Sequence, residues 1–192
     1  MKEALLFLRE FIKHPISTGA IYPSSQELAQ EIVTQGRVEE AEIIAEFGAG
    51  TGVFTKEIIR RKKSAAKFLS IEYRQELVDI IRREIPEVDI ACDSVENLIT
   101  LMKERNLDHL DSIVCGLPWA AFSEEMQDKF LAPAVKSLKE GGRFVTFAYL
   151  QGLLLPAGHR FQKKIASTFS EVHRSRIVWK NLPPAFVYVC TK

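Results

Sequence analysis

Apolar and polar positions along the chain follow two kinds of pattern. Short apolar runs rich in β-branched and aromatic residues are typical of β-strands. They recur at residues 42–47, 67–72, 88–92, 112–117, 143–149, 172–179 and 185–190. Helical periodicity appears between them, near residues 55–61, 75–84, 95–103, 124–138 and 160–169. Because strands and helices alternate, the pattern predicts right-handed crossovers that build a mostly parallel sheet.

The two ends of the chain depart from this alternation. Only residues 180–184 separate the last two runs, too few for a helical crossover, so these runs are predicted to form an antiparallel hairpin. Ahead of the sheet, helices are predicted at residues 2–12 and 25–34, the second with Ser24 or Ser25 as N-cap.

The predicted fold is a Rossmann-like α/β domain with a seven-stranded, mostly parallel sheet and a C-terminal antiparallel hairpin. A length of 192 residues favours one domain, residues 1–192. Within it, residues 1–36 are predicted to form a helical cap that contacts a membrane surface, and residues 42–192 the core.

Composition narrows the classes of partner. Lys and Arg (26) nearly balance Asp and Glu (25), so no global charge attracts a polyanion, and nucleic acid is a disfavoured partner. Cys92, Cys115 and Cys190 are widely spaced among apolar residues, so we expect reduced core thiols and no metal site. No apolar run is long enough to cross a bilayer. These features predict a cytoplasmic protein that meets a membrane only peripherally.

The first predicted strand leads into a glycine-rich loop, Gly48-Ala49-Gly50-Thr51-Gly52, followed by a helix. Glycines let the backbone approach a ligand at the carboxyl edge of the sheet. The dinucleotide fingerprint G-x-G-x-x-G is not matched, because Val53 occupies the place of its third glycine. With Glu46 the stretch reads E-x-G-x-G-x-G, which resembles the first motif of S-adenosylmethionine methyltransferases.

Acidic residues end the next two predicted strands. Glu72 can accept hydrogen bonds from ribose hydroxyls, and Asp93-Ser94 lie where methyltransferases of this type contact the adenine amine. A solvated turn or helix cap is the ordinary role of one such acid, but three acids in register with the loop favour a cofactor site. The predicted cofactor-binding residues are Glu46, Gly48, Ala49, Gly50, Thr51, Gly52, Glu72, Tyr73, Asp93 and Ser94.

The fourth predicted strand ends in Gly116-Leu117-Pro118-Trp119. Amino-methyltransferases carry Asn, Asp or Ser followed by x-Pro-aromatic here, and these residues position the target amine. Gly116 replaces the polar side chain, whereas an indole face attracts a methylated ammonium. The four residues are therefore predicted to position an aliphatic amine, without an assigned general base. The alternative is that Trp119 only packs beneath a loop.

Two further segments favour a lipid acceptor. Residues 1–13 show an apolar helical arc flanked by basic residues, which suits an anionic membrane surface, although core packing is the commoner role of such an arc. Residues 150–156 form an apolar connection that suits an acyl chain or a buried strand extension. Tyr22, Leu153 and Arg160 are candidates for acceptor or lid contacts, and clustered cations at 60–63 and 160–164 for phosphate.

Taken together, these residues resemble the bacterial phospholipid N-methyltransferases of the soluble type related to ribosomal RNA adenine dimethylases. The resemblance spans residues 1–192. The segments that carry it are 7–9 with 18–25, the glycine loop, Gly116-Leu117-Pro118, and Asn181-Leu182-Pro183-Pro184-Ala185. It implies methyl transfer from S-adenosylmethionine to phosphatidylethanolamine, or to its methylated derivatives, at the membrane surface.

Two other functions compete with this interpretation. An RNA adenine N6-methyltransferase has a similar fold and a Leu-Pro-aromatic sequence, but near-neutral charge, Gly116 and the lack of a C-terminal RNA-binding extension argue against it. A non-catalytic membrane-associated scaffold is disfavoured by the intact glycine loop and its three acids.

Overall fold

A computed structural model describes residues 24–192 of the chain. The predicted helix at residues 2–12 and the acceptor candidate Tyr22 lie outside these residues. The second predicted helix is α1 (Gln26–Gln35), and the hydroxyl of Ser25 accepts a hydrogen bond from the Leu28 amide at 3.1 Å. Ser25, rather than Ser24, is therefore the N-cap.

The predicted seven-stranded sheet is confirmed, in the order β3-β2-β1-β4-β5-β7-β6. Neighbouring strands from β3 to β5 pair in parallel, and β7 is antiparallel to both β5 and β6. The strands are β1 (Ile43–Phe47), β2 (Lys67–Glu72), β3 (Asp89–Cys92), β4 (Leu110–Cys115), β5 (Leu138–Tyr149), β6 (Glu171–Arg174) and β7 (Ala185–Thr191). The central strand β1 is buried along its whole length, because hydrophobic clusters cover both faces of the sheet.

Helices cross between the strands as the periodicity predicts. They are α2 (Val53–Arg61), α3 (Gln75–Glu84), α4 (Leu98–Glu104), α5 (Glu124–Ser137) and α6 (Pro156–Thr168). Short 3₁₀ turns at Val95–Asn97, Trp119–Ala121 and Leu150–Leu154 complete the connections. The parallel strands end at one edge of the sheet, where a ligand crevice is expected in such folds.

The boundaries of three strands differ from the prediction by more than one residue. β4 is Leu110–Cys115 rather than 112–117. β5 begins at Leu138 rather than 143, with a register irregularity against β4 and Gly141 at a φ of +73°. β6 ends at Arg174 rather than 179, because the Ser175 hydroxyl accepts a hydrogen bond from the Val187 amide and thereby leaves the regular ladder. Val178 keeps a single bridge to Ala185, and the hairpin itself is confirmed.

The cysteines only partly match their predicted place in the core. Cys115 and Cys190 are buried on central strands, whereas Cys92 is exposed at the end of β3. Burial raises the pKa of the Cys115 thiol to about 12, so this thiol stays protonated at neutral pH. Among residues 24–192, no helix combines the length and the apolar character needed to span a bilayer.

Candidate active site at the carboxyl edge of the sheet

The glycine loop connects β1 to α2 at the carboxyl edge of the sheet. Gly48, Gly50 and Gly52 have φ angles of +74°, +57° and +79°, a region that favours glycine. The Gly48 amide donates to the Ile71 carbonyl of β2 at 2.8 Å, which fixes the start of the loop. A β-carbon built at Gly50 meets nothing closer than the Gly48 carbonyl oxygen at 4.0 Å. The middle of the loop is therefore open to the close approach of a ligand.

Glu72 lies beside this loop and is nearly buried. Its Oε2 accepts a hydrogen bond from the Gly50 amide at 2.9 Å, and its Oε1 accepts one from the Arg74 amide at 3.0 Å. A carboxylate has about four lone-pair positions, so both oxygens can accept further bonds from hydroxyl groups. Glu72 thus orders the loop and keeps capacity for a ribose.

Asp93 lies one strand farther along the same edge. Its Oδ1 accepts bonds from the Ser94 amide at 2.6 Å and from the Asn97 amide nitrogen at 2.8 Å. The Asp93 amide donates to the Glu72 carbonyl at 3.1 Å, so the two acidic residues are neighbours. Tyr73 is exposed between them.

Glu46 lies beneath the loop and is fully buried. Its Oε2 accepts bonds from the Thr55 hydroxyl at 2.8 Å and from the Ser70 hydroxyl at 2.7 Å, whereas its Oε1 has no partner among the described residues. Burial raises the pKa of this carboxyl group to about 7. Glu46 thus links β1 to α2 and β2, and its contact with a cofactor stays a prediction.

A cavity of about 530 Å³ opens above the ends of β1, β4 and β5. Among the predicted site residues, those that line it are Gly48, Ala49, Gly50, Thr51, Gly116, Leu117, Pro118, Trp119 and Leu153. Those that do not are Glu46, Gly52, Glu72, Tyr73, Asp93, Ser94 and Arg160. Within residues 24–192, every side chain that lines the cavity is uncharged. The cavity is therefore suited to an apolar ligand or to the neutral part of one.

The structure gives a physical reason for Gly116. A β-carbon at this position would lie 2.8 Å from the Gly48 carbonyl oxygen, closer than such atoms approach in proteins. The Gly116 amide donates to the Phe47 carbonyl at 2.8 Å and holds the two loops together. Any side chain at this point would therefore displace the glycine loop.

Trp119 forms an aromatic wall of the cavity. The side chain is 3% exposed and stacks on Phe161, with ring centroids 5.1 Å apart and planes at 13°. Phe122, Phe130 and Phe144 meet it edge to face. These contacts match the packing interpretation of Trp119, and its contact with an ammonium group stays a prediction.

The predicted phosphate-binding cations are engaged elsewhere. Arg160 is exposed, lies outside the cavity lining and approaches Glu124 at 3.8 Å, and its contact with the acceptor stays a prediction. Lys164 pairs with Asp128 at 2.5 Å. In the basic stretch at residues 60–63, Arg60 pairs with Glu57 at 2.6 Å and Arg61 with Glu39 at 2.7 Å. These cations are therefore paired with acidic side chains of the protein itself.

Several cavity residues were not predicted from the sequence. Phe161, Tyr188 and Tyr149 line the cavity from α6, β7 and the end of β5, and Ser24 lines it from the start of the described chain. Tyr149 ends a strand at the sheet edge, which was a usable signal. Phe161 and Tyr188 are ordinary core residues by sequence pattern, and only the tertiary fold brings them to the cavity.

A family model described as "Methyltransferase domain" matches residues 44–142, which include β1, the glycine loop and most of the parallel sheet. The chain belongs to this methyltransferase family. The cofactor predicted from the glycine loop, S-adenosylmethionine, is confirmed for this methyltransferase. The chain is similar to an ornithine lipid N-methyltransferase from Singulisphaera acidiphila. The similarity extends over 193 residues at 27% identity and covers 99% of this chain and 96% of that relative.

Solved structures share the fold of this methyltransferase. An O-methyltransferase from Bacillus cereus in complex with SAH has a TM-score of 0.72 at 14% identity, covering 97% of this chain and 90% of that one. The O-methyltransferase TomG from Streptomyces achromogenes, in complex with SAM, has a TM-score of 0.68 at 13% identity, covering 97% and 89%. At these identities the likeness establishes the fold and leaves the acceptor open.

The geometry fits the cofactor. The open backbone at Gly50 admits close contact, and Glu72 retains the capacity to accept further hydrogen bonds. The residues that would hold the cofactor are those of the glycine loop with Glu72 and Asp93, as the sequence predicts. When bound, S-adenosylmethionine supplies a methyl group activated by its sulfonium. The protein's own task is to bind and orient the acceptor.

Proposed function

We propose that this methyltransferase transfers methyl groups from S-adenosylmethionine to the amine of a membrane lipid, with phosphatidylethanolamine and its methylated derivatives as the first acceptors to test. The observation that carries the proposal is the uncharged cavity beside the glycine loop. The ornithine lipid N-methyltransferase that resembles this chain from end to end supports a lipid amine, and ornithine lipid is the second acceptor to test.

The uncharged cavity also helps to explain how an aliphatic amine becomes a nucleophile. Such an amine is an ammonium ion in water at neutral pH, and an ammonium ion cannot attack a methyl group. Transfer into surroundings of low polarity disfavours the charged form and lowers the pKa of the ammonium group. The amine can then lose its proton to solvent as it enters, so no side chain has to act as a general base.

RNA is the weaker acceptor. A polynucleotide needs cations free to contact phosphates, but the basic clusters at residues 60–63 and 160–164 are largely held in ion pairs or bonded to backbone carbonyls. The site also offers no polar side chain at Gly116 to accept a hydrogen bond from a base amine. A non-catalytic scaffold has no use for a glycine loop that stays open at Gly50.

A lipid acceptor implies a protein that works at a membrane surface. We infer a cytoplasmic location with peripheral attachment. The basic, apolar stretch at residues 1–13 is one proposed contact with anionic lipid.

The test supplies S-adenosylmethionine with a labelled methyl group to separate reactions that contain vesicles of phosphatidylethanolamine, vesicles of ornithine lipid, or RNA. Phosphatidylcholine vesicles are the matched control, because their quaternary ammonium has no lone pair to accept a methyl group. We expect label in one or both amino lipids and none in phosphatidylcholine. Label only in RNA would overturn the proposal, and label in neither lipid would exclude these acceptors.

A further inference from the structure

The turn between β6 and β7 carries two large apolar side chains that the described part of the chain leaves uncovered. Trp179 is 66% exposed and Leu182 is 67% exposed. Between them, Asn181 is 2% exposed. Its Oδ1 accepts a hydrogen bond from the Ser25 amide at 2.9 Å, and its Nδ2 donates to the Pro183 carbonyl at 2.7 Å. A buried side chain thus fixes the turn and holds both apolar groups outward.

A second exposed apolar segment lies against this turn. Leu154 is 85% exposed and Leu155 is 54% exposed. The amide of Leu150, at the start of the same segment, donates to the Pro184 carbonyl at 2.8 Å and joins the two segments. Leu155 also lines the cavity. We call Leu154, Leu155, Trp179 and Leu182 the apolar rim, because they lie on two joined segments, one of which lines the cavity.

The charges around the apolar rim are arranged with cations outermost. Lys180 is 78% exposed and pairs with Glu27 at 3.2 Å, whose side chain is 42% exposed. Arg176 is 83% exposed and pairs with Glu31 at 2.9 Å, whose side chain is 6% exposed. The acids are thus the more buried partners. Leucines and a tryptophan beside outward Lys and Arg suit the headgroup boundary of a bilayer.

We propose that the apolar rim docks this methyltransferase on a phospholipid bilayer with the cavity facing the headgroups. The inference rests on the proposed function, because an acceptor held in a bilayer can reach the glycine loop only if the cavity faces that bilayer. A protein bound to the rim would instead stand across the approach to the cavity. Because the cations already have acidic partners, apolar insertion contributes more to this contact than attraction to anionic lipid does.

The test compares two double variants of the full chain. Trp179→Ser with Leu182→Ser removes the apolar groups, whereas Trp179→Phe with Leu182→Met keeps them and serves as the matched control. Partitioning is measured by sedimentation with neutral phosphatidylcholine vesicles, and thermal melting checks the fold. We expect the Ser variant to partition roughly tenfold more weakly, or worse, and the control to stay within about twofold of wild type. Equal sedimentation of the Ser variant and wild type would overturn the proposal, as would wild type failing to bind vesicles.

Tryptophan fluorescence gives a second, local readout. The chain has two tryptophans, and Trp119 is already buried. Insertion of Trp179 predicts a blue shift of the emission when vesicles are added to wild type. The shift should vanish in the Phe control although that protein still binds. A wild type that sediments with vesicles without any blue shift would show that another surface makes the contact.

Failure of this inference can be told apart from failure of the proposed function. A short-chain phosphatidylethanolamine, kept monomeric below its micelle concentration, presents the same amine without a surface. We expect the Ser variant to methylate this monomer as wild type does, but to lose roughly tenfold in activity on vesicles. Equal loss on both forms would contradict docking by the rim. No methylation of either form by wild type would count against the lipid acceptor, while sedimentation and fluorescence still test the rim.

Discussion

The candidate site has two halves that differ in the kind of chemical group that forms them. At the ends of β1, β2 and β3, backbone amides and carboxylates are tied together by hydrogen bonds, as between Gly50 and Glu72. At the ends of β4 and β5, aromatic and aliphatic side chains enclose an uncharged cavity. The first half suits a polar ligand of fixed shape, and the second suits a ligand that needs to leave water. The polar half therefore suits the cofactor, which all these methyltransferases share. The apolar half suits the acceptor, which differs from one methyltransferase to another.

The largest expected effect concerns the aromatic wall of the apolar half. Replacing Trp119 with Ala removes a ring that four phenylalanines contact, so we expect the free energy of unfolding to fall by about 3–5 kcal/mol. Trp119→Phe should lose clearly less of the free energy of unfolding, because part of the packing remains. Urea unfolding measures both.

Variants at the same position also test whether Trp119 takes part in catalysis. If the indole also attracts the methylated ammonium, Trp119→Phe retains part of the activity on phosphatidylethanolamine vesicles and Trp119→Leu retains much less. Unchanged cofactor affinity in both is the control. Equal activity in all three proteins would restrict Trp119 to packing.

The next effect concerns the buried acid beneath the polar half. The pKa of Glu46 is about 7 in the folded protein against an ordinary value of 4.5, so folding favours its protonated form. The stability that this form confers is fully present below pH 4.5, declines as the pH rises toward about 7, and is absent above it. The loss amounts to about 3 kcal/mol.

Glu46→Gln isolates this contribution, because the amide is neutral at every pH and its oxygen can still accept bonds from Thr55 and Ser70. We expect wild type to lose stability relative to the variant between pH 4.5 and 8, as measured by urea unfolding across that range. If the free energies of unfolding of the two proteins change in parallel across this pH range, Glu46 is ionised in the folded protein at neutral pH and the account of its pKa is wrong.

A smaller effect is expected for a glycine-loop variant that changes binding of the cofactor. Gly50→Val places a branched side chain at a φ of +57° in the open space above the loop, so we expect affinity for S-adenosylmethionine to fall about 100-fold, or roughly 2.7 kcal/mol. Gly141→Val is the control, since Gly141 also has a positive φ of +73°, its added β-carbon meets no atom within 4 Å, and it lies outside the cavity lining. Titration calorimetry that finds unchanged affinity in Gly50→Val would remove the loop from the cofactor site.

The smallest effect tests a residue that the structure leaves outside the cavity. Arg160→Ala removes an exposed cation that approaches Glu124 at 3.8 Å, and surface pairs of this kind contribute little. We expect less than about a twofold change in kcat and KM for the lipid acceptor. A large rise in KM would return Arg160 to the acceptor site.

The strand-end residues of both halves were predicted from the sequence, but the aromatic residues that complete the apolar half were not. The glycine loop and Glu72 belong to local motifs at strand ends, so their spacing and the resemblance to the first motif of methyltransferases predicted them. Phe161 and Tyr188 are far apart in the chain and meet only through packing of α6 on β7. Trp119 illustrates the limit, since its place at a strand end and its packing beneath a loop were both considered from the sequence, but its four phenylalanine neighbours were not identified.

The elements of the fold also differ in how well the sequence predicted them. Strands and helices with clear periodicity were predicted nearly to their ends, as in β2 and α3. The start of β5 was missed because Lys139 and Glu140 precede two glycines and give no apolar pattern. The end of β6 was missed because side-chain bonds from Ser175 and Asn181 shape the turn, and periodicity does not report such bonds.

The most direct test of the central claim is a competition in one reaction. Wild type is given S-adenosylmethionine with a deuterated methyl group and a mixture of phosphatidylethanolamine, ornithine lipid and RNA, and mass spectrometry identifies the methylated product. An uncharged cavity beside the cofactor loop predicts that deuterium appears on a lipid amine nitrogen and is absent from RNA nucleosides. Deuterium found only in adenosine from the RNA would contradict the account.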